Sequence, residues 1–381
     1  MNWTRRQLAR LVILGAAATL TGTSAHAQSA DAGDLFFVGS RATQLSAARI
    51  DPATGDLTLI GTVAEAGRPS WSVRHPTLPV LYVTNEVGDA ATPGTVLAYR
   101  IDPATGALAK TGEVSAGGAG TTHLWFDARS NTLVAANYTG GSVASIAVNK
   151  DGSLGERVSL IQHDGSGPHR RQTSPHAHGV AVDPSGRYVL AADLGVDKLF
   201  VYPLDPRTHK LSEKGNHLSL PAGSGPRHFA FHPNGRTVYL LGELSAEVFT
   251  LRWDARRGAL TRIQQLSTDA PGFDGNKSVA EVAVSHNGRF VYVSNRGDNM
   301  IVVHAADPRT GTLRQIQRIA AGGTTPWAFT LHRSGRWMLV ANTNSDRVNL
   351  LAVDQRTGLL TDTGKSLSVP KPVSVTFDRT R

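Results

Sequence analysis

Four side chains with complementary chemistry lie at regular spacings along this chain. They are His178, Arg227, Glu243 and Arg296; Arg227 follows His178 by 49 positions, and Arg296 follows Glu243 by 53. Two guanidinium groups can hold an anionic ligand and stabilise an oxyanion as it forms. A glutamate or a histidine can take a proton from water, which arginine cannot do because it keeps its own proton. Together these residue types predict a site that acts on an anion or a polarised carbonyl group.

The spacing of these residues follows a repeat of about fifty residues that runs through the chain. A strand ending in Tyr-Val-x-Asn or a related sequence occurs seven times, and so does a turn of the Asp-Pro-x-Thr-Gly-x-Leu type. The seven strands end at Gly39, Asn85, Asn137, Asp193, Gly242, Asn295 and Asn342. Strand and turn signals at this period, without helical periodicity, predict an all-β fold, a seven-bladed β-propeller.

The two ends of the chain are out of phase with this repeat. Residues 35–38 match the second strand of a unit, whereas residues 373–378 match a first strand. We therefore expect the N- and C-terminal strands to pair and close the ring, because this arrangement leaves no unpaired edge strand. The repeats continue without a break, so residues 28–381 are predicted to form a single propeller domain.

The repeat also predicts where the four side chains meet. In antiparallel strands the start of the first strand lies beside the end of the second, so both share one mouth of the propeller. The ring after the second strands is Ser40, Glu86, Tyr138, Leu194, Glu243, Arg296 and Thr343. The ring at the first-strand starts is Pro69, Thr122, His178, Arg227, Ala280, Trp327 and Val373. The charged members lie in consecutive units. Glu243 and Arg227 alone could be a structural salt bridge, but the four-residue cluster predicts a site.

Other chemistries have weaker signals in this sequence. His176 and His178 point to the same face of a strand and could offer two metal ligands, but no third ligand is evident and we predict no metal. There is no Gly-x-Ser-x-Gly elbow, phosphate loop or dinucleotide glycine fingerprint. The chain has no cysteine, which excludes thiol catalysis and disulfides.

Residues 1–27 have the pattern of an export signal peptide. Arg5 and Arg6 precede an apolar run over residues 11–20, and residues 25–27 form a small-residue cleavage site. The arginine pair resembles a twin-arginine signal, although an ordinary export signal also fits. The apolar run is too short for a permanent membrane span. We therefore expect a periplasmic or secreted protein with no membrane span in the mature chain.

The chain carries a formal net charge of +9. This charge fits a solvated basic surface or a basic mouth that attracts anionic ligands. No basic run is interleaved with aromatic residues, so we expect no nucleic-acid partner. A monomer that binds a small molecule is the expectation.

Several short stretches carry a resemblance to a known family. They are Arg171-Gln172, Pro175-His176-Ala177-His178, Asp193-Leu194-Gly195-Val196-Asp197, Gly225-Pro226-Arg227-His228, Gly242-Glu243-Leu244 and Ser294-Asn295-Arg296-Gly297. On these stretches the chain resembles the seven-bladed propeller lactonases, of the 6-phosphogluconolactonase and carboxy-cis,cis-muconate cyclase type. The resemblance covers essentially all of the mature chain.

The resemblance implies chemistry on a cyclic ester without a cofactor. Its implied catalytic residues are His178 (or His176), Arg227, Glu243 and Arg296, and the expected substrate-binding residues are His176, Arg171 and Trp327. The expected function is a lactone hydrolase that opens a sugar-acid lactone or a related anionic lactone. The phosphorylated sugar lactone is a cytoplasmic metabolite, so an exported member could act on a different lactone. The alternatives are a muconate-type cyclase and a non-catalytic propeller of the YVTN type, suggested by residues 82–85.

Overall fold

The computed structural model describes residues 33–89 and 92–378. The predicted signal peptide, residues 1–27, lies outside the described residues. No helix in the described part of the chain is long and apolar enough to cross a membrane.

The described residues form seven four-stranded antiparallel sheets, the blades of the propeller. Blade 1 contains β1 (Asp34–Ser40), β2 (Gln44–Ile50) and β3 (Leu57–Glu65). Blade 2 contains β4 (Ser72–Arg74), β5 (Val80–Asn85), β6 (Thr95–Ile101) and β7 (Leu108–Ser115). Blade 3 contains β8 (Thr121–Asp127), β9 (Thr132–Asn137), β10 (Ser142–Val148) and β11 (Leu154–Gln162). Blade 4 contains β12 (Ala177–Val182), β13 (Tyr188–Asp193), β14 (Lys198–Pro203) and β15 (Asn216–Ser219).

The remaining blades follow in chain order. Blade 5 contains β16 (Pro226–Phe231), β17 (Thr237–Gly242), β18 (Glu247–Asp254) and β19 (Ala259–Ser267). Blade 6 contains β20 (Val279–Val284), β21 (Phe290–Asn295), β22 (Met300–Ala306) and β23 (Leu313–Ala320). Blade 7 contains β24 (Pro326–Leu331), β25 (Trp337–Asn342), β26 (Arg347–Val353) and β27 (Leu360–Ser368), with one 3₁₀ turn at Thr343–Ser345. The last strand, β28 (Pro372–Phe377), joins blade 1.

The pairing of the two ends confirms the predicted closure of the ring. β28 runs antiparallel to β1, with Phe36 opposite Phe377 and Val38 opposite Val375. The two phenylalanine rings pack edge to face with their centroids 5.7 Å apart. The first strands of successive blades contact one another in the order β28, β4, β8, β12, β16, β20, β24 and back to β28. They therefore surround the central channel.

The hydrophobic core lies between the blades rather than at the channel. The second strands are buried along their whole length where both faces are covered by neighbouring sheets, as in β21 and β17. Each cluster of buried apolar side chains combines two adjacent blades. One such cluster joins Phe290 and Tyr292 of blade 6 to Phe329 and Met338 of blade 7.

The recurrent outer turn has a local structural cause. The carboxylate of Asp307 accepts hydrogen bonds from the backbone N–H groups of Arg309 and Thr310 at 2.9 and 2.8 Å. Gly311 then adopts a φ of 76°, which residues with a Cβ adopt only with strain. The turn motif therefore specifies the link between the third and fourth strands and leaves the channel side of each blade free to vary.

Candidate active site

Backbone bulges direct the side chains at the mouth of the channel. The register of β12 shifts between Ala177 and Gly179, which sets His178 at an irregular position. The same shift occurs in β16 around Arg227 and in β24 around Trp327. A bulge adds one unpaired residue and changes the direction of its side chain. At the second position of each of these first strands, the bulge therefore directs toward the mouth a side chain that differs from blade to blade.

The residues after the second strands are fixed by backbone hydrogen bonds to the loops that enter the first strands. The N–H of Glu243 donates to the carbonyl of Gly225 at 2.8 Å, and the N–H of Arg296 donates to that of Ser278 at 2.7 Å. Because these loops lead directly into β16 and β20, the two rings predicted from the sequence lie beside each other at one mouth.

Glu243 is the centre of the cluster. Its Oε1 lies 2.5 Å from Nη1 of Arg171 and 2.9 Å from Nη2 of Arg296, and its Oε2 lies 2.9 Å from Nε of Arg227. The side chains of Glu243 and Arg227 are 2% and 1% exposed, Arg296 is 8% exposed and Arg171 is 40% exposed. One carboxylate therefore holds three guanidinium groups, and the cluster keeps a formal charge of +2.

This arrangement changes the proton affinity of its members. Burial alone would raise the pKa of Glu243, but Arg296, Arg227 and Arg171 lower it to about 2. Burial and the neighbouring Arg296 lower the pKa of Arg227 to about 10, against the opposing effect of Glu243. Glu243 therefore stays ionised at neutral pH and has little affinity for a further proton. A role as anchor for the arginines fits this environment better than the role of general base that its residue type suggested.

Trp327 provides a flat surface beneath the arginines. The guanidinium carbon of Arg296 lies 4.5 Å from the centroid of the indole ring, and that of Arg227 lies 5.7 Å away. Arg41 also stacks on this ring, at 4.9 Å. Stacking of arginine on an aromatic face is attractive and keeps the guanidinium plane oriented. Trp327, expected to contact substrate, therefore also orients Arg296.

The two histidines lie on different sides of Tyr138. His176 stacks on the tyrosine ring at 4.6 Å, and its Nδ1 lies 2.9 Å from the Tyr138 carbonyl oxygen. His178 meets the ring edge-on at 5.4 Å. The hydroxyl of Tyr138 lies 3.0 Å from Nη2 of Arg171, which connects both histidines to the arginine cluster. Burial, and then the charge of Arg227, hold the pKa of His178 well below its usual range. His178 is therefore neutral at pH 7.

A pocket of about 400 Å³ opens above this cluster. Its walls are formed by Arg171, Glu243, Asn276, Ser278, Arg296, Gly297, Thr325 and Trp327. His178 and Arg227 are buried and are not among the lining residues. Asn276, Ser278 and Thr325 were not identified from the sequence, because they lie in the irregular loops that precede β20 and β24. Reading the ring alignment a few residues further upstream would have found Ser278 and Thr325.

The site has the donors for an anion but no evident metal centre. In the part of the chain that the structure describes, no group of three or more histidine, aspartate or glutamate residues is placed to hold a metal ion. The groups that could hold a ligand are the exposed faces of Arg171 and Arg296, with the polar side chains of Asn276, Ser278 and Thr325 around them. This arrangement can bind a carboxylate, a phosphate or the carbonyl oxygen of an ester.

Comparisons with known proteins agree with the geometry. A family model described as a seven-bladed β-propeller lactonase matches residues 35–377. The 6-phosphogluconolactonase of Bacillus subtilis is 35% identical over 314 residues, which cover 82% of this chain and 88% of the relative.

Solved structures give the same result. The periplasmic gluconolactonase PpgL of Pseudomonas aeruginosa is similar, with a TM-score of 0.85, 34% identity, and coverage of 91% of this chain and 99% of that chain. A protein from Lactobacillus plantarum has a TM-score of 0.84, 30% identity, and coverage of 90% and 99%. The channel-mouth cluster, the closed seven-bladed ring and these relatives together show that the chain belongs to the family of seven-bladed β-propeller lactonases.

Proposed function

We propose that this protein hydrolyses a sugar-acid lactone, or a related anionic lactone, at the mouth lined by Arg171 and Arg296. Membership of the family makes it a lactonase, and the comparisons do not favour a binding propeller or a cyclase. The observation that carries the assignment of the site is the group of three arginines held by one buried carboxylate at the floor of the pocket.

The chemistry follows from the charge of the cluster. The lactone carbonyl oxygen lies against Arg296 and Arg171, whose N–H groups are oriented before the substrate arrives. Water attacks the carbonyl carbon, the new C–O bond forms, and negative charge develops on the carbonyl oxygen. Fixed donors stabilise this charge more than they stabilise the neutral ester, which lowers the barrier. The ring C–O bond then breaks, and its oxygen takes a proton to become the hydroxyl group of the product.

We assign the removal of the proton from water to His178. A general base must be unprotonated and must have a lone pair that is free to accept a proton. The ring of His178 is neutral at pH 7, and because its Nδ1 is buried, Nε2 is the nitrogen left to meet the attacking water. Glu243 is unprotonated but fails the second requirement, because three arginines occupy its oxygens. His176 is the competing candidate, since the Tyr138 carbonyl accepts from its Nδ1–H and leaves Nε2 free.

The net positive charge of the cluster supports an anionic substrate or product. The two named relatives differ here, because one is called a 6-phosphogluconolactonase and the other a periplasmic gluconolactonase. The export pattern of residues 1–27 and the likeness to the periplasmic relative support action outside the cytoplasm. We therefore propose a periplasmic or secreted lactonase that acts on a sugar lactone without a phosphate group.

The test is a comparison of initial rates with residues 28–381. Gluconolactone, its 6-phosphate and an aromatic lactone are assayed by acid release, with spontaneous hydrolysis subtracted. Arg296→Ala should lower kcat by on the order of a hundredfold, as for other lost oxyanion donors. Arg296→Lys, which keeps the charge but loses the planar fork, should recover only part of that loss.

The matched control is Thr343→Ala on the same ring. The Thr343 hydroxyl donates to the carbonyl of Pro372 at 2.7 Å, and among the described residues Thr343 makes no hydrogen bond to the arginine cluster. The rate of the Thr343→Ala variant should stay within about twofold of that of the wild type. Wild-type rates in the Arg296 variants would show that the site is misplaced. No turnover of any lactone by the wild type would contradict the proposed substrate class.

A further inference from the structure

A second layer of polar side chains lies one position further along the first strands. Its members are His123 of β8, His228 of β16 and Glu281 of β20, all buried. Nδ1 of His228 lies 3.0 Å from Oε2 of Glu281, while Oε1 of Glu281 accepts a hydrogen bond from the N–H of Val282 at 3.1 Å. None of these residues lines the pocket described above.

His228 connects this layer to the mouth. Its ring centroid lies 4.9 Å from that of His178, 4.7 Å from that of His123 and 5.2 Å from that of Trp71. The corresponding position of β12 is Gly179, where a Cβ would collide with the carbonyl of Arg227 and lie 3.3 Å from Cδ2 of His228. Glycine at this position therefore allows His228 to approach the blade that carries His178.

The layer and its neighbours His178 and Trp71 contain polar atoms that the protein itself does not satisfy. Among the described residues, Nδ1 of His178, Nε2 of His228 and Nε1 of Trp71 are buried and make no hydrogen bond to protein. Buried polar groups of this kind are nearly always hydrogen-bonded, and ordered water is the usual partner where protein groups are lacking. His228 packs against both of the other rings, with its centroid 4.9 Å from that of His178 and 5.2 Å from that of Trp71, so internal water is the partner expected for these three atoms.

We propose that His178, His228 and Glu281, joined by internal water, form a proton relay that serves the lactonase reaction. This inference rests on the proposed function. His178 takes one proton as water attacks the carbonyl carbon, and the proton moves through His228 to the carboxylate of Glu281. It returns to the ring oxygen when the acyl C–O bond breaks. Water adds across the ester, and the relay ends in the state in which it began.

The need for a relay follows from the environment of His178. A histidine whose proton affinity is strongly reduced can accept a proton only briefly, so a second acceptor improves the transfer. Burial raises the pKa of Glu281 to about 7, against the opposing effects of Arg227 and His123. Burial and then Arg227 hold the pKa of His228 well below its usual range, with Glu243 opposing and Arg296 adding to the effect. Glu281 is thus the member of this layer suited to hold a proton near neutral pH.

The test is the pH dependence of kcat in the Glu281→Gln variant of residues 28–381. This substitution keeps the shape and removes only the titrating carboxylate. We expect kcat at pH 7 to fall at least tenfold while KM changes by less than about twofold. The wild-type kcat should rise with pH through a limb near 7. In the variant this limb should move to lower pH, because the groups that remain to titrate are His178, His228 and His123, whose pKa values burial holds well below their usual range.

His228→Gln provides a second, independent variant. It should show the same fall in kcat, and the double variant should be no slower than either single one, because residues that act in series are not additive. The matched control is Asp34→Asn at the other end of the propeller. There the carboxylate lies 2.7 Å from Nε2 of His332. This control should leave kcat and the pH limb unchanged.

The outcomes separate the relay from the proposed function. A folded Glu281→Gln protein with wild-type kcat and an unchanged limb would overturn the relay and leave the lactonase site intact. Additive losses in the double variant would also overturn it. If Glu281→Gln does not fold, the His228→Gln variant provides the test, and a kcat and a pH limb unchanged from the wild type would overturn the relay. A wild type that opens no lactone would overturn both proposals.

Discussion

Replacing Glu243 by glutamine tests whether this residue anchors the arginines or acts as a base. The substitution leaves the three guanidinium groups without their shared counter-charge and raises the formal charge of the cluster from +2 to +3. Arg227 and Arg296 are almost fully buried and cannot turn to solvent, whereas Arg171 is 40% exposed. The loss of stability should therefore come mainly from the two buried pairs, those of Glu243 with Arg227 and with Arg296.

The size of the effect can be worked out from these contacts. Removing one partner of a buried ion pair costs about 3–5 kcal/mol, because the other charge stays buried without compensation. The exposed Arg171 pair adds less than about 1 kcal/mol. An unfolding entropy of about 2.1 cal/mol/K per residue, over the roughly 340 residues that the structure describes, gives about 0.7 kcal/mol/K. The total of about 3–6 kcal/mol should therefore lower Tm by about 4–9 °C.

Thermal unfolding at pH 7 measures this change, with and without added formate. The small carboxylate can bind in the pocket beside Arg171 and Arg296, which lack their counter-charge in the variant, so it should raise the Tm of Glu243→Gln more than that of the wild type. Arg171→Gln is the control and should lower Tm by less than about 2 °C. A Tm for Glu243→Gln within 1 °C of wild type, unaffected by formate, would refute the anchoring role. If Glu243 were a general base with no structural role, Glu243→Gln would lower kcat and leave Tm unchanged.

Three further outcomes are expected. Folding raises the pKa of Glu281 to about 7, so the folded state binds the proton of this carboxyl group more tightly than the unfolded state does. The protonated carboxyl group therefore contributes to stability in full below pH 4.5, and this contribution is lost as the pH rises through 7. Chemical denaturation at several pH values should therefore show that the free energy of unfolding of Glu281→Gln falls by a few kcal/mol less than that of the wild type over this range. An equal fall in the two proteins would contradict the burial of the carboxylate. Deletion of residues 372–381 should prevent cooperative unfolding, because blade 1 loses its innermost strand. A truncated chain with wild-type Tm would count against the closure. N-terminal sequencing of periplasmic protein should begin at Gln28, whereas retention of residues 1–27 would contradict the export signal.

The repeat made most of the fold predictable. The recurrent turn and the buried second strand are local features, so their sevenfold occurrence was visible in the sequence and the structure confirms it. The offset between residues 35–38 and residues 373–378 was enough to predict which strands close the ring. The same alignment placed Arg227, Glu243 and Arg296 at one mouth, where the structure brings them into contact.

The sequence could not predict features that break the repeat. The bulges in the first strands alter the direction of a side chain without leaving a mark in the pattern of apolar residues. For this reason Glu281 and His228 were not grouped, although each is adjacent to a position in the predicted ring. Asn276 lies in the irregular loop between β19 and β20, where neither the strand pattern nor the turn motif gives its position. The acid–base character of Glu243 depends on three partners from distant parts of the chain, and residue type alone could not give it.

The pairing of β1 with β28 has a consequence for the order in which the protein acquires its structure. Phe36 and Phe377 come from opposite ends of the sequence, so blade 1 lacks its innermost strand until nearly the whole chain has been synthesised. Until then β1 presents a free edge, which can pair with another chain. Long-range pairing of this kind also slows folding. A newly made molecule should therefore be prone to pair with other chains until β28 has docked on β1.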